Sequence, residues 1–226
     1  MLLLIRAALL WVLVHAGIAG TVVRARLAAR LGEGGFRIAY SVLSVVALYL
    51  LVAAWNAADT TPLWAAGPGL RWVLAVLMLP VIFLMVASVA GRNPTAVGQD
   101  GGLTAEPRGI FRITRHPMLW SFALWSAIHM LGNGDSAALV FFGAFLVTAL
   151  VGMPSIDAKL ASRRPDAWPA FRQATSILPF GAILAGRNRL VLAEIGWLAP
   201  ALAVIGWAVT LHFHARFFGV PALMPF

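Results

Sequence analysis

Six long apolar runs, separated by polar stretches, limit what this chain can fold into. They lie at about Leu2–Val23, Ile38–Ala57, Leu70–Ala90, Met118–Leu131, Ala137–Met153 and Leu190–Phe213. A helix needs about 20 apolar residues to cross the hydrocarbon core of a bilayer. Across the 226 residues, 61% are apolar and 11% charged, with a mean hydropathy of +0.88. A soluble domain keeps about a quarter of its residues charged, so this chain could not cover its own surface with polar groups. The sequence therefore predicts an all-α, polytopic membrane protein of about six transmembrane helices in a single integral membrane domain, residues 1–226. The fourth run is short for a crossing. It is expected to begin earlier, within Gly109–His116, or to be shielded by neighbouring helices.

The net charge of +9 invites a nucleic-acid partner, but the arginines sit between apolar runs rather than along one face. Positive charge in that arrangement sets topology and meets anionic lipid, so no nucleic acid is expected. Loop one carries Arg24, Arg26, Arg30 and Arg37; loop three carries Arg92, Arg108, Arg112 and Arg115; loop five carries Lys159, Arg163, Arg164, Arg172, Arg187 and Arg189. Of the 17 basic residues, only Arg6, Arg71 and Arg216 lie elsewhere. This alternation places loops one, three and five in the cytoplasm and both termini outside.

Arg6, the first apolar run and the small residues Ala16-Gly17-Ile18-Ala19-Gly20 have the outline of a signal peptide. Arginines follow at once, as in a stop-transfer segment, so a retained crossing is expected. Gly132-Asn133-Gly134-Asp135 predicts a tight turn between segments four and five. Trp168 and Phe171, flanked by Arg163, Arg164 and Arg172, read as an interfacial amphipathic stretch. There is no cysteine, which excludes disulfides, thiolate metal sites and thiol catalysis.

Ionisable residues inside a membrane segment are expensive and are functional candidates by default. Here they are His15, His129 and Glu194, with His212 and His214 near the last exit. At ~1.5 Å per residue, His15 lies roughly 10 Å and His129 roughly 16 Å above the inner ends of their segments. Two imidazoles at similar depth could hold a planar iron porphyrin from both faces. The bland alternative is that each histidine makes a helix-to-helix hydrogen bond. No CxxCH motif is present, so any haem would be non-covalent. Glu194 is expected to snorkel to the interface or to pair with Arg187 or Arg189. His116, in Thr114-Arg115-His116-Pro117-Met118, sits at a helix start. With Arg112 and Arg115 it forms either an anionic-ligand site or a lipid headgroup anchor.

Arg115-His116-Pro117-Met118 followed by Ala127-Ile128-His129-Met130-Leu131-Gly132-Asn133-Gly134-Asp135 resembles the NnrU family of bacterial membrane proteins. Gly35-Phe36-Arg37, His15 and Ala174-Thr175-Ser176-Ile177-Leu178-Pro179-Phe180 fit the same pattern. The resemblance covers roughly residues 1–190, leaving an extra C-terminal transmembrane helix. It implies a multi-pass protein of the bacterial inner (cytoplasmic) membrane, associated with nitrite and nitric oxide reduction in denitrification. A related branch, the zeta-carotene isomerase of plants, implies haem b, with His15 and His129 as the matching ligands. That branch carries a cysteine one turn before the second histidine; Ser126 stands there in this chain, so no thiolate switching is expected. The implied partners are the lipid bilayer with a hydrophobic small molecule or nitric oxide, or a membrane reductase for which the protein is a cofactor-free assembly factor. A fainter resemblance, to the isoprenylcysteine methyltransferase superfamily, rests on Arg115, His116 and Asp157 and implies S-adenosylmethionine. The acidic pair of that superfamily is reduced to Ile156-Asp157 here, and its tyrosine is replaced by Leu119.

Overall fold

The structure, a computed structural model, describes residues 1–18, 22–90, 93–95, 103 and 106–223. Ala19, Gly20 and Arg92, invoked above, lie outside the described residues. Among the described residues, eight α-helices follow in order: α1 (Leu2–Val12), α2 (Val22–Asn56), α3 (Pro68–Val89), α4 (Pro117–Asn133), α5 (Ser136–Arg163), α6 (Trp168–Ala174), α7 (Gly181–Leu184) and α8 (Leu198–Phe218). A π-helical turn continues α1 over Leu13–Ile18, and short 3₁₀ turns occupy Gly109–Arg112 and Leu192–Glu194. The fold is all-helical, and the protein is a multi-pass membrane protein.

Among the described residues, four helices are long and apolar enough to cross a membrane: Val23–Asn56, Pro68–Val89, Ser136–Arg163 and Leu198–Phe218. The other two apolar runs make shorter helices. The first is apolar but short, Leu2–Ile18. The fourth is α4, with 17 residues, or about 25 Å. Its start at Pro117 has a local cause. Proline is favoured at the first helical position, and the residue before a proline is pushed out of the α region. The helix therefore does not extend back through Gly109–His116.

Three other boundaries differ from expectation. The stretch expected as loop one is helical, because Arg24-Ala25-Arg26-Leu27-Ala28-Ala29-Arg30-Leu31 consists of strong helix formers and joins α2. The helix breaks at Gly32, at φ 71° and ψ 161°, a conformation open to glycine. Helix α5 runs ten residues past Met153, carrying Asp157 and Lys159. Helix α8 begins at Leu198, so Glu194 precedes the last helix instead of lying in it.

The chain divides into two compact units. The first contains Met1–Ala66 and Ser126–Ser155. Its core is built from Leu4, Ala7, Ala8, Leu51, Ala54, Ala137 and Ala144. Small residues at such contacts let helix backbones approach closely, as membrane helices require. The predicted turn closes this unit. Gly134 sits at φ +69°, and a Cβ there would lie 2.1 Å from the Trp64 carbonyl oxygen. The Leu63 and Trp64 amides donate to the Gly134 carbonyl at 2.8 and 3.0 Å. Trp64 Nε1 donates to the Leu131 carbonyl at 2.9 Å. Asp135 caps α5 by accepting from the Ala138 amide at 2.8 Å, and Thr60 Oγ1 donates to the same carboxylate at 2.6 Å.

The second unit contains Gly67–Trp125 and Ile156–Phe226. Helix α8 packs along α3, and Trp207 Nε1 donates to the Ala75 carbonyl at 2.6 Å. Trp168 and Phe171 of α6 are buried against Leu103 and Leu160. The face expected to meet the interface is thus covered by the protein itself.

Candidate functional site

His15 and His129 both fall in the first unit. Around His15 the helix widens into the π-helical turn Leu13–Ile18, a departure that recurs at functional sites. His15 Nδ1 lies 2.8 Å from the Trp11 carbonyl oxygen. A carbonyl can only accept, so Nδ1 carries the proton and the lone pair of the neutral ring sits on Nε2. This is how histidine ligands of metals are commonly oriented. The Trp11 indole lies over the imidazole, with ring centroids 3.9 Å apart, and Tyr40 meets it edge-on at 5.9 Å. Trp11 Nε1 is buried with no hydrogen-bond partner among the described residues. Gly17, on the same turn, has open space where a side chain would be.

His129 lies on α4 against Phe142 of α5, with centroids 4.8 Å apart. From there aromatic contacts run through Phe141 at 5.1 Å and Phe145 at 5.3 Å to Trp11 at 4.8 Å. The two histidines therefore sit at opposite ends of one continuous aromatic run. No cluster of three or more potential metal ligands occurs among the described residues. Two imidazoles in apolar surroundings do not suit a bare ion. The His15 imidazole, held at Nδ1 by the Trp11 carbonyl, is a donor of the type that a haem iron takes.

Arg112, Arg115 and His116 belong to the second unit and split into two sets. Arg115 Nε and Nη2 grip Asp157 at 2.7–3.0 Å, and His116 Nε2 meets the same carboxylate at 2.8 Å. His116 is fully buried, and its Nδ1 has no partner among the described residues. The Arg115 guanidinium also lies 5.7 Å from the Trp168 ring centre, a cation–π distance. Arg112 does not join them. It makes a two-pronged pair with Glu194 at 2.7 and 2.8 Å and donates to Asn188 at 2.8 Å.

The sequence matches the NnrU protein family over residues 3–222. The chain belongs to that family. The match passes Leu190 and takes in α8, the helix that motif resemblance left outside. Among curated NnrU-type proteins, the chain is similar to the 15-cis-zeta-carotene isomerases of Zea mays and Arabidopsis thaliana. The identities are 29% and 28%, each over 80% of this chain and 50% of the relative. It thus spans about half the length of the curated relatives it matches. No solved structure matches.

Within this NnrU chain, sequence spacing picked out His15 and His129 but gave no sign of the π-helical turn or the buried Trp11 indole. It also missed the true partner of Glu194, which is Arg112 rather than Arg187 or Arg189. That pair has a pH signature. The Arg112 guanidinium and the Gly109 amide hold the Glu194 carboxyl down at about 2, from 4.5. A lowered carboxylate pKa contributes to folding above its unfolded value and loses that contribution as pH falls through the folded value. The link between the two 3₁₀ turns is therefore expected to weaken as pH drops from 4.5 towards 2. Protease cleavage within residues 187–197 should rise over that range, and Glu194→Gln should be equally open at neutral pH. Flat cleavage with pH in the parent protein would refute the link.

Proposed function

We propose that this protein is a haem b-dependent membrane isomerase that acts on a cis double bond of a carotenoid-like polyene. The observation that carries the reading is the His15 imidazole, fixed by the Trp11 carbonyl with its Nε2 lone pair free. The curated relatives, named as 15-cis-zeta-carotene isomerases, supply the substrate class. His15, through Nε2, and His129 would be the residues that hold the haem. When bound, haem b would supply a redox-active iron beside the polyene double bond.

The chain's own residues do the rest. The Trp11 carbonyl keeps the His15 proton on Nδ1 and the ring in one orientation. Trp11, Phe141, Phe142 and Phe145 offer flat apolar surface to a planar, hydrophobic ligand and exclude water from it. The charge alternation supports six crossings with both termini outside, counting the α1–π segment and α4 in addition to the four longer helices.

The test is an absorption spectrum of the full chain, purified in mild detergent from haem-supplemented cells, followed by incubation with a 15-cis polyene. A Soret band with sharp reduced α and β bands, and conversion to the trans isomer, is the expected result. A featureless spectrum from folded protein would end the haem reading. A haem-loaded protein that leaves the polyene unchanged would end the isomerase reading.

A further inference from the structure

Within the second unit lies a cleft of about 650 Å³ whose lining includes Arg115, Arg172 and Arg187, with Gln173, Ser176 and Leu178. No acidic residue is among the described residues that line it. Its walls are fixed before any ligand arrives. The Arg115 amide donates to the Ser176 carbonyl at 3.0 Å, and Thr114 Oγ1 and Trp120 Nε1 both donate to the Ile177 carbonyl at 2.7 Å. Arg187 Nη1 is held by the Gln173 and Thr175 carbonyls at 2.5 and 3.2 Å, which neutralise none of its charge.

The three guanidiniums are not equivalent. Arg115 is matched by Asp157. Arg187 keeps a full positive charge, and Arg172 is exposed with no bonded partner among the described residues. A concave surface lined by one sign of charge focuses potential and draws in counter-ions. Guanidinium forks match phosphate oxygens in pairs. The volume exceeds that of a bare ion and falls in the usual range for small-molecule sites.

We propose that this cleft binds a phosphate-bearing anion, with Arg172 and Arg187 as its forks and Arg115, held in place by Asp157, in its wall. The same chemistry comes from two sources, the headgroup of an anionic phospholipid or a soluble diphosphate. The proposal stands apart from the haem reading, which concerns residues of the other unit.

The test uses the full chain in neutral detergent at low salt. Sodium pyrophosphate is titrated while the thermal midpoint is followed. In a second arm, the protein is released from nanodiscs of equal phosphatidylglycerol and phosphatidylcholine, and the retained lipid is identified by native mass spectrometry. Saturable stabilisation by pyrophosphate, weakened about tenfold in Arg172→Gln, supports a soluble ligand. Selective retention of phosphatidylglycerol, lost in the same variant, supports a headgroup. Arg172 bonds to nothing described, so its variant is expected to fold; Arg172→Lys, keeping charge but losing the fork, should fall between. If neither probe separates the parent protein from Arg172→Gln, the proposal is overturned.

Discussion

His15→Ala protein, purified from cells supplied with haem, is expected to show no Soret band, and His129→Ala a band without the sharp reduced α and β peaks of two axial histidines. The asymmetry follows from the surroundings of the two rings. His15 has its proton committed to a backbone carbonyl 2.8 Å away, so its metal-binding nitrogen is set in advance, as preorganised ligands require. Alanine removes that nitrogen and leaves a gap beneath the Trp11 indole. Free imidazole should enter the gap and restore the Soret band, which a merely misfolded protein would not allow. His129 packs on Phe142, and losing it would take away one of the two nitrogens proposed to hold the haem and so alter the spectrum. Wild-type spectra from both variants would remove these residues from consideration as ligands.

The second large effect is expected at Asp157. Asp157→Ala should lower stability by about 3–5 kcal/mol, the usual cost of removing one partner from a buried ion pair. For a chain of this length that is a fall in thermal midpoint on the order of 10 °C. The Arg115 and Asp157 side chains are only 7% and 14% exposed, and His116 shows no exposed side-chain surface. Removing the carboxylate therefore leaves a buried guanidinium without its counter-charge and a buried imidazole with neither ring nitrogen partnered. The damage belongs to the unpaired charge rather than to lost attraction, so Arg115→Met/Asp157→Leu should recover much of the loss. An unchanged midpoint for Asp157→Ala alone would show that the cluster contributes nothing to folding.

Much of this architecture is legible in the sequence because lipid imposes a simple code. The run from Leu70 to Ala90 predicts a helix, and Pro68–Val89 is one, since nothing but length and hydropathy decides it. The code fails where charge and helix coexist. Arg24–Arg37 reads as a loop by its charge, yet its alanines, leucines and arginines favour a helix, and Glu33 reaches Arg24 at 2.7 Å across the Gly32 break. It fails again where one turn departs from the regular period. Hydropathy cannot register the wide turn at His15, which gives that ring its setting. Long-range pairing is the third blind spot. Arg112 and Glu194 stand 82 positions apart, and nearer arginines offered an equally plausible match. Asp157 stands 42 positions from Arg115, and it drew notice only through a distant methyltransferase resemblance. The three residues of that resemblance do meet, by bonding to one another.

The turn between α4 and α5 has a practical corollary. Residues 60–64 wrap over its tip, so that the tip is gripped from outside as well as tied from within. A bulky residue at 134 would have to displace the backbone of Trp64 rather than a flexible side chain. Tags, fluorophores and crosslinking residues are commonly introduced at short exposed turns of membrane proteins, where the chain tolerates interruption. Here that choice would unfasten the end of the helix that carries His129, four residues before Asn133. The probe would alter the site it was meant to report on.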